Sequence, residues 1–194
     1  MNIGVTLAAA LLAPAPPAVD SALAGAARYC EAIVMAKKST LPVPAGVTIH
    51  SDSGVPDLIR RFAATQPMTR MFGIDSYAHF HARNGQVWVV RSEQAVSCDI
   101  VVTAVPGGAD ALRDSFLKSL PGQGWQMRSS STATPTKPLW RHSFVKWVPK
   151  ASASGFGLVL DVRGLHPAAS TEDGVQMELG FIGGDDLQVG RSPR

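Results

Sequence analysis

His79 and His81 alternate along one predicted strand, so their imidazoles share a sheet face, and a His-x-His pair can open a zinc site. Such a site needs three or four ligands. His50, His142 and His166 have no carboxylate or cysteine at a recognisable spacing, so the pair reads as ordinary surface or half-buried histidines and no metal ligand is assigned. Acyl transfer needs a nucleophile, a base and an orienting group, yet the chain has no Gly-x-Ser-x-Gly elbow and no His-Glu-x-x-His helix. The adjacent carboxylates Glu172-Asp173 and Asp185-Asp186 fall in predicted loops, where solvated turn chemistry is the default. Gly107-Gly108 lacks the Gly-Lys-Ser/Thr ending of a phosphate-binding loop. No catalytic residue and no cofactor is assigned.

Charge segregation is the feature that stands above background. From Lys118 to Lys150 there are six basic residues and no acidic one, and the same stretch holds three of the four tryptophans. Cations interleaved with aromatic rings can grip an anionic polymer, the cations meeting phosphate or carboxylate while the rings stack. Lys118, Arg128, Lys137, Trp140, Arg141, Lys146, Trp147 and Lys150 are therefore the candidate partner-binding residues. Strand alternation yields the same pattern with each Trp in the core, and that plainer reading is the more economical one. In the predicted strand 139–148, Trp140, His142, Phe144 and Lys146 share one face, while Arg141, Ser143, Val145 and Trp147 share the other. The sequence does not say which face meets solvent.

Two cysteines, Cys30 and Cys98, belong to no Cys-x-x-Cys pattern. In an exported chain an even count reads as a disulfide. Export is expected from the first residues: Ile3 to Ala13 is an apolar run of signal-peptide length, too short to span a bilayer, and Ala22-Leu23-Ala24 fits small-x-small cleavage. The leader is accordingly placed at 1–24 and a single domain at 25–194. The n-region lacks Lys and Arg. A net charge of +3 is too small an excess to imply nucleic-acid binding.

These residues need a scaffold, and hydrophobic residues at 45% suffice for a sizeable core. Asp20 or Ser21 can cap a helix running to about Lys38 that puts Leu23, Ala27, Cys30 and Val34 on one face. Residues 41–53, with two prolines and a glycine, read as an extended linker, and Pro56 opens a second helix that Pro67 stops. Tyr77–Arg83, Asn84-Gly85 and Gln86–Arg91 read as a hairpin with a two-residue type I′ turn, which sets His81 opposite Trp88 and His79 opposite Val90. A strand at 97–105, a helix carrying Ala109, Leu112, Phe116 and Leu120, and strands at 125–129, 139–148, 156–163 and 175–182 complete the order. The expected fold is α+β: a mostly antiparallel sheet with two or three helices packed on one face, arranged as two successive helix-plus-three-strand units.

The functional expectation is a non-catalytic periplasmic or secreted binding protein. Its partner would be an anionic envelope polymer or another envelope protein, with no nucleic acid and no integral membrane segment. The alternative is a small envelope hydrolase whose site is assembled from distant residues.

Overall fold

The computed structural model describes residues 15–36, 41–93, 97–132, 139–148, 156–165 and 174–184. The apolar runs of β3 (Gln86–Ser92) and β4 (Ser97–Thr103) pair antiparallel and are buried almost throughout, as central strands covered on both faces must be. β2 (Ile74–Phe80) and the short β1 (Val47–His50) extend the sheet outward from β3. Beyond β4 lie β8 (Val175–Gly184), β7 (Phe156–Leu165), β6 (Leu139–Val148) and β5 (Gln126–Ser131), giving the order β1-β2-β3-β4-β8-β7-β6-β5 with every pairing antiparallel. The fold is α+β. Each half is a helix followed by a four-stranded meander, and the halves meet at β4 and β8.

Four α-helices occur among the described residues. α1 (Val19–Ala36) and α4 (Asp110–Ser119) cover one face of the sheet. The stripe of α1 formed by Leu23, Ala27, Cys30 and Val34 is buried as its spacing predicts, against Val89, Ile100, Leu179 and their neighbours. Ala109, Leu112, Phe116 and Leu120 close the other half of the same core over Phe144, Leu160 and Val162. Arg91, buried beneath α1, donates to Ser76 Oγ at 2.8 Å and to the Tyr29 hydroxyl at 3.0 Å, and pairs with Asp75. α2 (Asp57–Thr65) lies on the opposite face, where Val55, Ile59 and Ala63 pack on Tyr77, Trp88, Val90 and Val101. α3 (Pro67–Phe72) follows directly, with Pro67 in its first turn.

Several expectations are corrected. The hairpin pairs Phe80 with Val87 and His79 with Trp88, so residues 81–85 form a five-residue connection rather than a two-residue turn at Asn84-Gly85. The slip is by two residues along the pairing, which keeps every side chain on its expected face. The connection docks on the segment that leads into α1, Arg83 N donating to Pro17 O at 2.9 Å. The linker at 41–53 contains β1, a half-exposed edge strand too short to announce itself between Pro44 and Gly54. The first unit therefore has four strands rather than three. Pro67 ends α2 and also starts α3, which the sequence reading did not anticipate. Ala22-Leu23-Ala24, the motif read as a cleavage site, lies inside α1 with Leu23 fully buried.

Cys30 and Cys98 form a disulfide across a Cα–Cα distance of 5.4 Å, pinning α1 to β4 over a sequence separation of 68 residues. In the chain-entropy model a closed loop of that size stabilises the fold by about 4 kcal/mol. The Cys30→Ala/Cys98→Ala protein should lose stability of that order, read as a fall in the urea midpoint. An unchanged midpoint would show that core packing alone holds α1. Close approach sets a second expectation. Trp140 is buried over Gly164, and a Cβ added there would fall 2.2 Å from the indole. Gly164→Ala should cost about 1–3 kcal/mol by overpacking, and Trp140→Phe in the same chain should recover part of it.

Candidate functional site

On the sheet face opposite α1 and α4, side chains at equivalent register line up in rows that cross all eight strands. One row runs His50, Tyr77, Val90, Asp99, Gly180, Asp161, Ser143 and Ser129. The next runs Thr48, His79, Trp88, Val101, Glu178, Arg163, Arg141 and Ser131. Both rows change character at the centre of the sheet. Over β2 and β3 they are mostly apolar or aromatic and α2 covers them. Over β5–β8 they are serine, carboxylate and guanidinium, with one glycine, Gly180.

The histidines fall at the covered end. His79 stacks on Trp88 with ring centroids 4.2 Å apart and planes 4° from parallel. Its neighbour His81 lies 4.2 Å away by ring centroid and bonds Thr48 Oγ1 through Nε2 at 2.9 Å. Burial holds the His79 imidazole down to about 4, and His81 and His50 push it the same way. Among the described residues no group of three or more His, Cys, Asp or Glu side chains is placed to hold a metal ion.

The open end is a charge network. Asp161 takes Arg141 and also lies 3.8 Å from Arg163, whose Nη1 sits 2.8 Å from Glu178 Oε1. Arg141 and Arg163 are direct cross-strand partners, and the shared Asp161 carboxylate relieves their repulsion. Asp99 is only 8% exposed and makes no hydrogen bond or ion pair among the described residues. Its neighbour in the row is Gly180, where a Cβ would come within 3.1 Å of Asp99 Oδ1. Burial pushes the Asp99 carboxyl up to about 7, with the Glu178 carboxylate adding to the shift and Arg163 opposing it. Glu178 is raised as well, chiefly by burial. Five buried side-chain polar atoms lack a hydrogen-bond partner among the described residues, and four of them (Ser97 Oγ, Asp161 Oδ1, Arg163 Nε and Glu178 Oε1) belong to this face. Buried polar groups are normally satisfied, so their concentration here sets this face apart from the rest of the sheet.

Beside the network, at the β5 edge, an open groove of about 310 Å³ is lined by Arg128, Ser129, Ser130, Ser131, Arg141 and Ser143. The bulge between Met127 and Ser129 turns this end of β5. Arg141 is 55% exposed at its side chain, so most of its donors remain free beyond the bond to Asp161. Arg128 is exposed and makes no ion pair among the described residues. Two guanidinium forks and a row of hydroxyls, with no carboxylate among the described lining residues, suit an oxyanion.

The eight predicted binding residues do not form one patch. Arg128 and Arg141 meet at the groove, while the 45%-exposed Trp147 lies on the face of Arg141 but six residues farther along the same strand. Trp140 and Lys146 turn to the helix-covered face. Trp140 is buried beneath the Arg113 guanidinium, 5.0 Å from the ring centroid, and Lys146 pairs with Glu31 at 2.6 Å and sits over Trp125. Lys118 is exposed on α4, away from the groove, while Lys137 and Lys150 lie outside the described residues. Two Ser-x-x-Lys spacings occur, Ser143 with Lys146 and Ser115 with Lys118, but the first pair points to opposite faces of β6 and the second is exposed on α4. Sequence reasoning missed Asp99, Asp161, Arg163 and Glu178. Lone charges inside otherwise apolar strands were their signal, and Asp161-Val-Arg163 carries the period of two that marks one sheet face.

The pH dependence of stability tests the network. The folded-state value of Asp99 lies above the unfolded one, so its protonated form contributes stability at acid pH that is lost as pH rises through about 7. His79 works in the opposite sense: its folded value lies below the usual 6.5, and its contribution is lost as pH falls from there toward about 4. Asp99→Asn should raise Tm at about pH 8 more than at about pH 5, and His79→Gln should flatten the acid limb. An Asp99→Asn curve parallel to the parent would mean that Asp99 is ionised throughout.

The chain matches no family model, no curated protein and no solved structure, so its function is argued from this face alone.

Proposed function

We propose that the chain is an exported, non-catalytic binding domain that grips an anionic envelope polymer through the groove between Arg128 and Arg141. The observation that carries this reading is the lining itself, two guanidiniums and four serines without an acid among the described residues. The exposed Trp147 farther along β6, opposite Gly157 in β7, offers an aromatic surface on the same face. The disulfide and the absence, among the described residues, of any helix long and apolar enough to cross a membrane support a periplasmic or secreted location. Because α1 needs Val19 onward and Pro17 O holds Arg83 N, leader cleavage before Pro17 fits the packing better than cleavage after Ala24.

One observation favours the hydrolase alternative, since a carboxyl held near 7 is suited to a general acid. Against it, Asp99 is buried and the free oxygen of Asp161 is closed to solvent, which leaves no route for an attacking water.

Polygalacturonate and polyphosphate serve as probes. Binding should weaken steeply between roughly 50 and 500 mM salt, because exposed ion contacts are screened over about 8 Å at physiological ionic strength. Arg128→Ala, which breaks no ion pair, should weaken binding about tenfold, and Lys118→Ala should leave it unchanged. Salt-independent binding, or equal losses for the two variants, would remove this reading.

A further inference from the structure

We propose that the polymer held by this face is an acidic polysaccharide, with its carboxylates between Arg128 and Arg141 and one of its sugar rings stacked on Trp147. The inference rests on the reading of the groove given above and names the chemical class of its ligand.

Trp88, Trp125 and Trp140 are each 3% exposed, whereas Trp147 is 45% exposed. Among the large exposed hydrophobic side chains of the described residues it is the one aromatic. A single exposed apolar side chain is ordinary, but the surroundings set this one apart. Its partner in register is Gly157 on β7, and the next residue of that row is Gly184 on β8, so neither strand raises a side chain there beside the indole. In the adjoining row Val145, Val159 and Ile182 line up across the same three strands and supply an apolar shoulder. The indole Nε1 makes no hydrogen bond among the described residues. Trp147 therefore offers a flat apolar ring with a free donor at its rim.

A pyranose ring matches both parts. Its C–H groups form an apolar face that packs on the indole, and its hydroxyls can take the rim donor. A phosphate chain has no apolar face and gains nothing at this position. The groove suits the same ligand: Ser129 and Ser143, whose hydroxyls make no hydrogen bond among the described residues, can exchange bonds with sugar hydroxyls while the guanidiniums take a carboxylate.

Spacing asks for a chain rather than one sugar. Arg141, 55% exposed at its side chain, and Trp147 stand on one face of β6. Six residues of strand separate them by roughly 20 Å. Ser143 and Val145, short and only 8% and 7% exposed, lie between them, so the two exposed side chains rise at either end of a low stretch. A polymer laid along β6 meets both ends, and a monosaccharide meets one.

The test titrates the full chain with polygalacturonate and with polyphosphate, using calorimetry. Trp147→Ala should weaken polygalacturonate binding about tenfold, the loss of one stacked ring, and polyphosphate binding by less than about twofold. Trp147→Phe keeps an aromatic face and should recover most of the polygalacturonate affinity. Arg128→Ala should weaken both polymers. Equal losses for the two polymers in Trp147→Ala, or polygalacturonate binding that this variant leaves intact, overturns the proposal. If both polymers bind with the expected salt and Arg128 dependence while Trp147 adds nothing, the anion-binding reading stands and only the polysaccharide falls. If neither polymer binds, both fall.

Discussion

Residues 97–103 and 175–182 are far apart in sequence, yet the hydrogen-bonded pairing of β4 with β8 joins the two four-stranded meanders into one sheet. Without it each half would expose a long central edge of unpaired backbone groups. The pairing also sets what sits beside what. On the helix-covered face it aligns Cys98 with Phe181 and Ile100 with Leu179, which gives α1 a continuous apolar bed to lie on. The disulfide then fastens α1 over this seam. On the opposite face the same register sets Asp99 beside Gly180 and Val101 beside Glu178, the point where the surface turns from apolar to charged.

That change of character explains why the two halves, alike in topology, are finished differently. Tyr77, Trp88, Val90 and Val101 form an apolar surface that must be covered, and α2 covers it with Val55, Ile59 and Ala63. The corresponding surface over β6, β7 and β8 carries Arg141, Arg163, Asp161 and Glu178. A helix with an apolar face laid there would strand those charges, at a cost that ion pairing in a dry interface rarely recovers. The charges are instead half-satisfied by one another and half-open. That is a poor arrangement for stability alone and a serviceable one for holding a charged ligand.

The cationic stretch was legible as a composition and misleading as a patch. Strand alternation divides it, so Lys146 and Trp140 serve the core while Arg141 and Trp147 serve the open face. Lys146 illustrates the difficulty, because its partner Glu31 comes from α1, at the other end of the chain. Local pattern shows that two faces exist but not which is covered, since that depends on where α1 and α4 come to rest. The hairpin tells the same story at smaller scale. Two strands around Asn84-Gly85 were plain, but the connection between them is five residues long and docks on Pro17, a contact no turn rule contains.

By itself the sequence determined the elements whose signal is local: the stripes of α1 and α4, the apolar runs of β3 and β4, the bounds of β6, the α+β class and, through the cysteine count, the disulfide. Hydrophobic periodicity and cysteine arithmetic act over short spans or need no geometry, so they can be read directly. Only the tertiary structure decided the order of strands, the side on which each helix lies, and the meeting of Asp99, Glu178, Asp161, Arg163 and Arg141 on one face. Those five residues come from four strands, and none has a partner on the face within its own segment except Asp161 and Arg163. Their meaning arises from pairing across the sheet, which is set by the packing of the whole chain rather than by any stretch of it.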